Sequence, residues 1–244
     1  MCFEPNKGAK LAGWCLHRFQ NTLSLLQGNR SIIVKSGQAA RSGDVISMSM
    51  PAESLNMTVE DYLRTEELSD VRREFVDGQI YAMVGASNAH NVIALNLATL
   101  LRQHVRGSGC RAYISDMKVQ IKTTNCFYYP DVMVTCESFD PKSFYNTAPV
   151  FICEVLSPST AEIDRREKLV AYKQLPSLRD YLVVHQEQQQ VELYTKTLAD
   201  KWNMTVFRGA EQLMLKSLPS GQLSFPVSAL YEDVFLDPQR LTDT

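Results

Sequence analysis

Several absences narrow the 244-residue sequence before any motif is read. No apolar run approaches the ~20 residues that a membrane-spanning helix needs, so no membrane partner is expected. Neither sign of charge is in excess. Lys and Arg number 25 against 27 Asp and Glu, a formal net charge of −2. That balance excludes a basic coat for nonspecific nucleic-acid binding, and any nucleic-acid site must be local. Cysteine is scattered: Cys2, Cys15, Cys110, Cys126, Cys136 and Cys153 contain no C-x-x-C pair. A zinc ribbon or finger is therefore not expected. The spacing fits a reducing interior better than a disulfide framework, and a cytoplasmic location is the expectation. Leu11–Leu16 is too short and mixed for a signal-peptide core. Repeats, heptads and collagen-like triplets are missing as well.

What is present is enough apolar material, 45% of residues, for a true core. The first fifty residues mix Gly, Ser, Asn and Gln and show no sustained period. Residues 1–56 are expected to be a flexible leader or an over-long translation start, and 57–244 a single domain. Thr58, with Asp61 three residues later, marks a helix start. Asp77-Gly78 between Arg73–Val76 and Gln79–Met83 marks a β-hairpin. Ser87 or Asn88 caps a long helix to about Arg106, whose apolar positions Ile93, Leu97, Leu100, Leu101 and Val105 keep helical spacing. Strands are expected near 111–115, 117–122 and 128–136. The run 149–156 reads as a strand buried on both faces. Ser159 and Glu162 form a capping box for a helix reaching about Gln174. Strands near 180–186, 190–195 and 202–208 follow. The order predicts an α/β fold: a central mixed β-sheet flanked by helices, with a β-rich C-terminal part.

The chemistry is carried by acids inside apolar strands. Asp131 follows Pro130 and precedes Val132-Met133-Val134. Glu154 interrupts Val150–Leu156, which is otherwise apolar. A buried carboxylate is costly unless it is paired or metal-bound. Two carboxylates on adjacent strands make the oxygen-rich site that Mg²⁺ accepts.

Taken together, Arg73-Glu74-Phe75-Val76-Asp77-Gly78, Asn88-x-His90, Pro130-Asp131-Val132-Met133-Val134, Glu154-Val155-Leu156-Ser157-Pro158-Ser159-Thr160 and Asp164-x3-Lys168-x3-Tyr172 resemble the Uma-two family of restriction endonucleases. The likeness spans about residues 57–236. It implies a restriction-endonuclease-like core of the PD-(D/E)xK phosphodiesterase superfamily. It also implies a Mg²⁺-dependent DNA endonuclease, with Mn²⁺ as a substitute metal, a 5′-phosphate product and no nucleotide cofactor. By that resemblance Asp131 and Glu154 are catalytic metal ligands, and Glu74 is an additional acid completing the metal site. The position two after Glu154, where the superfamily places its lysine, holds Leu156, so Lys168 on the next helix is the expected replacement. Asp164, Lys168 and Tyr172 are spaced to share one helix face. His90, for substrate or water contact, Ser157, a capping residue first and a phosphate contact second, and Asp164 are secondary candidates. Tyr172 reads as core.

A rival pair, Asp116 and Lys118, also sets an acid and a lysine on one strand face. Double-stranded DNA and a homodimer are the expected partners, because cutting both strands suits two-fold symmetry. Two other readings remain open. One is a catalytically weak nucleic-acid-binding or regulatory domain that keeps the fold. The other is a metal-dependent hydrolase with a different substrate.

Overall fold

Thr58 caps the first helix, α1 (Val59–Glu66). Its hydroxyl accepts the Asp61 N–H at 3.1 Å and donates to the Asp61 carboxylate at 2.9 Å. The shorter acid thus closes on the capping hydroxyl itself. The hairpin follows as expected: β1 (Arg73–Val76) pairs with β2 (Gln79–Ala82). Asp77 (φ 46°) and Gly78 (φ 89°) both take positive φ, the twist-matched two-residue turn that favours Asp-Gly. The computed structural model describes residues 57–83, 85–157 and 167–236. The expected leader, the Ser159/Glu162 cap and Asp164 lie outside the described residues.

Ser87 caps α2 (Asn88–Val105), its hydroxyl accepting the His90 N–H at 3.1 Å. The buried residues Ile93, Leu97, Leu101 and Val105 form one apolar stripe. Burying each such side chain contributes roughly 1.5–3 kcal/mol. That stripe packs on one face of a six-stranded mixed sheet, ordered β11-β10-β9-β8-β6-β3. Its strands are β3 (Arg111–Ile114), β6 (Val132–Thr135), β8 (Pro149–Leu156), β9 (Asp180–His185), β10 (Gln190–Lys196) and β11 (Trp202–Arg208). Only β8 and β9 run parallel in this sheet, and between them in sequence lies the short helix α3 (Leu169–Tyr172). A five-stranded sheet, β2-β1-β5-β4-β7, holds β4 (Lys118–Ile121), β5 (Cys126–Tyr128) and β7 (Tyr145–Asn146). A further hairpin, β12 (Gln212–Leu215) with β13 (Leu223–Pro226), adds to the β-rich C-terminal part. Its two short strands carry little period-2 signal in the sequence.

The expected strand at 128–136 is two strands. β5 ends at Tyr128 and β6 starts at Val132, and they belong to different sheets. Pro130 has no N–H to give a ladder, so the chain leaves one sheet there and enters the other. This crossing places Asp131 at the seam. Apolar residues from both sheets, Val119, Ile121 and Tyr128 from one and Met133, Ile152 and Val183 from the other, join Tyr172 in one core cluster. Phe75 and Phe127 close with Tyr62 of α1 in another.

The cysteines depart from expectation. Cys110 and Cys136 form a disulfide. Arg111 lies opposite Thr135 in the β3–β6 ladder, so the flanking cysteines face each other with Cα atoms 4.0 Å apart. Sequence spacing carries no trace of that register. Cys126 and Cys153 are free and buried. No helix among the described residues is long and apolar enough to cross a membrane.

Candidate carboxylate–lysine site

Strand register brings the two main acids together. Val132 pairs with Cys153 in the antiparallel β6–β8 ladder, so the next pair outward is Asp131 with Glu154. Inside β8, alternation puts Glu154 on the face that carries Ile152 and Leu156, the face turned to the second sheet, while Asp131 stands just before β6, level with it. Asp131 is anchored from two directions. Its Oδ2 accepts the Val155 N–H at 2.7 Å and lies 3.1 Å from His90 Nε2. His90 is carried in the first turn of α2, where the Ser87 cap fixes the backbone.

Glu154 is only 3% exposed, which demands compensation. Part of it comes from α3 and the residue just before it. The Tyr172 hydroxyl donates to Glu154 Oε1 at 2.7 Å, and Lys168 Nζ lies 3.6 Å from the same oxygen. Residues four apart on one helical face can both reach one strand carboxylate. Lys168 Nζ is also 2.9 Å from Glu74 Oε1 and stands 5.5 Å over the Tyr128 ring. Glu74 comes from β1 in the other sheet, and its Oε1 accepts the Tyr129 N–H at 3.2 Å. The lysine therefore bridges acids from two sheets.

The surrounding protons are set by the same burial. Desolvation, then the charges of Glu154 and Glu74, push the Tyr172 phenol well up, so it stays a donor. Burial first, with Asp131 and Glu154 behind it, likewise raises the Cys153 thiol, which stays protonated and inert as a nucleophile.

A second buried network braces the site from behind. The Glu66 carboxylate accepts the Arg73 N–H at 2.8 Å, Arg73 Nε at 2.9 Å and the Tyr129 hydroxyl at 2.9 Å. Arg73 precedes Glu74 in β1, and the Tyr129 backbone holds Glu74, so Glu66 fixes both neighbours of that acid. Glu66 sits in the last turn of α1, a place that carries no motif in the sequence.

The rival pair is not assembled. β4 begins at Lys118, and Asp116 lies in the preceding turn, where Ser115 takes a positive φ. Asp116 is 70% exposed and pairs with Arg72. Lys118 is buried, donates to the Tyr129 hydroxyl at 3.3 Å and has its pKa lowered by burial. Spacing of i and i+2 shares a face only inside a strand, and here the strand starts too late. Ser157 follows β8 and is partly buried. Tyr172, read as core, is buried but also touches Glu154 through its hydroxyl. The i+4 spacing from Lys168 was the available signal.

As to metal, the donors are all carboxylate oxygens, which suits a hard cation. Among the described residues no three His, Cys, Asp or Glu side chains converge as a ready-made cage. Mg²⁺ commonly keeps several waters and binds through one or two carboxylates. Asp131 and Glu154, on neighbouring strand ends, fit that habit, with Glu74 turned to Lys168.

The sequence model of the Uma2 family, described as "Putative restriction endonuclease", matches residues 59–228. Two uncharacterized proteins of Synechocystis sp. are related. One is 39% identical over 188 residues, covering 77% of this chain and 97% of its own length. The other is 35% identical over 167 residues, covering 66% and 93%. Among solved structures, a crystal structure described as a putative nuclease belonging to DUF820, from Anabaena variabilis, superposes with a TM-score of 0.59. It covers 72% of this chain and 98% of that one at 16% identity, a likeness of fold.

Proposed function

Since the chain belongs to the Uma2 family, we propose that it is a Mg²⁺-dependent DNA endonuclease hydrolysing phosphodiester bonds. The observation that carries the reading is Lys168 Nζ between Glu74 and Glu154, with Asp131 accepting the N–H of Val155, the residue next to Glu154. Asp131 and Glu154 would hold the metal, and Mn²⁺ would serve in place of Mg²⁺. When bound, the metal supplies a lowered water pKa and neutralisation of developing phosphate charge. The chain's own groups do the rest. His90 and the Val155 N–H fix Asp131. Tyr172 fixes Glu154. Lys168 offsets the acids and is poised to neutralise the phosphate or orient water, with Glu74 holding its ammonium.

The test is nicking of supercoiled plasmid with Mg²⁺ or Mn²⁺. Wild type should cut, and Asp131→Ala and Glu154→Ala should each abolish cutting. Equal trace activity in all three proteins would end the nuclease reading. One observation favours an alternative, a DNA-binding domain that keeps the fold without efficient chemistry. Leu156, buried in the apolar cluster, stands where the resemblance implies a lysine. Salt-sensitive DNA binding without metal-dependent cutting would select that alternative.

A further inference from the structure

On the face of the six-stranded sheet that carries Met133 and Glu154, a cleft of about 340 Å³ opens between β3 and the chain leading into and out of β7. We propose that this cleft holds an unstacked nucleobase of the nucleic acid bound at Asp131 and Glu154; the proposal rests on the nuclease reading above.

Three aromatic rings line the cleft: Tyr113, Phe139 and Tyr145, with Met117 between sheet and loop. Their faces offer stacking to any base, worth about 1–3 kcal/mol each in single-strand binders. The Arg111 guanidinium sits 4.9 Å from the Phe139 ring centroid and props a ring that is 60% exposed. A lone exposed phenylalanine is ordinary. Here it is one of three rings around a single concavity.

Charge selects the ligand. No lysine or arginine side chain lines the cleft, while two carboxylates, Glu137 and Asp140, do. A phosphate or other anion is therefore disfavoured. The Glu137 carboxylate is already engaged by Thr147 N–H at 3.0 Å, the Thr147 hydroxyl at 2.7 Å, Ala148 N–H at 2.9 Å and the Thr135 hydroxyl at 3.1 Å. It shapes the loop rather than awaiting a cation. A flat, neutral heterocycle with polar edges suits what remains, because the lining also offers the Asn146 amide and the Ser138 hydroxyl.

Position ties the cleft to the reacting phosphate. The Ser115 N–H donates to the Asp131 carbonyl at 3.1 Å, and Tyr113 lies opposite Met133 in the same ladder. Tyr113 is thus two residues along the strand from the Ser115–Asp131 contact, about 7 Å at ~3.3 Å per residue. A strand whose phosphate meets the carboxylates has a neighbouring base within reach, provided the base leaves its stack.

The test uses the full chain in EDTA, so that nothing is cut, with an oligonucleotide carrying 2-aminopurine, whose fluorescence falls on stacking. Binding of the single strand and of the matching duplex is measured in parallel. Phe139→Ala should weaken single-strand binding about 5- to 150-fold, Phe139→Trp should retain it, and duplex binding should change less than about twofold. Phe139 is exposed, so these variants leave the core untouched. Unchanged single-strand affinity in Phe139→Ala, or equal loss for both DNA forms, overturns the proposal. Where wild type nicks plasmid but Phe139→Ala binds single strands normally, only the cleft proposal falls. Where wild type binds neither DNA form and cuts nothing, the nuclease reading falls with it.

Discussion

Removing the Lys168 charge should cost far more than a surface lysine would. Its Nζ lies 2.9 Å from Glu74 and 3.6 Å from Glu154, and the Lys168 and Glu74 side chains are 9% and 13% exposed. Lys168→Met keeps most of the stem and deletes the ammonium, leaving two acids buried without that counter-charge. Removing one partner of a buried pair typically costs about 3–5 kcal/mol. For a domain of this size each kcal/mol moves Tm by about 2–4 °C, so the melting point should fall by about 6–20 °C. The assay is thermal and urea unfolding in EDTA. Adding Glu74→Gln to Lys168→Met should recover part of the loss, because the second change removes one stranded charge. Millimolar Mg²⁺ should stabilise Lys168→Met more than wild type, since a bound cation favours the folded state that presents the acids. A loss below about 1 kcal/mol, the worth of a solvated pair, would refute the reasoning. So would a Glu74→Gln effect that simply adds.

Three further outcomes follow from other contacts. Tyr172→Phe removes the 2.7 Å donor to Glu154 and should lower stability by about 1.5–3 kcal/mol in urea; no change would mean Glu154 does not depend on that hydroxyl. Reduction of Cys110–Cys136, or Cys136→Ser, releases a 26-residue separation and should cost about 3.5 kcal/mol by loop-closure entropy; an identical melting point with and without reductant would count against the bond. The Asp180 carboxyl is buried, and burial raises it above its ordinary 3.8, with hydrogen bonding to Thr195 and Ser217 only partly offsetting that. A carboxyl raised on folding stabilises fully below the unfolded value and loses that contribution as pH rises through the folded one. Asp180→Asn should therefore flatten the fall in stability above about pH 4, and an unaltered pH slope in urea titrations would contradict it.

Much of the fold is legible in the sequence where local chemistry decides it. Thr58 and Ser87 announce their helices, Asp77-Gly78 its turn, and the apolar run at 149–156 its buried strand, because each signal acts within a few residues. What escapes is set by register and by distant packing. The break at Pro130 sends two halves of one apparent strand to different sheets. Cys110 and Cys136 meet only through the β3–β6 ladder. Asp131 and Glu154 are readable as acids in or beside apolar strands, whereas Glu74 and Lys168 enter only through the family resemblance. Glu66 was not readable, since its partners Arg73 and Tyr129 come from two other elements and no spacing links all three.

Glu154 and its cationic neighbour come from opposite sides of a topological event. The acid sits within β8, the lysine in the connection to β9, and the two strands align side by side in parallel. Parallel neighbours cannot pair until the whole intervening crossover has been laid down. Charge balance at Glu154 is therefore an interlock. A chain caught halfway to its native form shows acids without this ammonium, and chemistry that needs both must wait for β9 to dock.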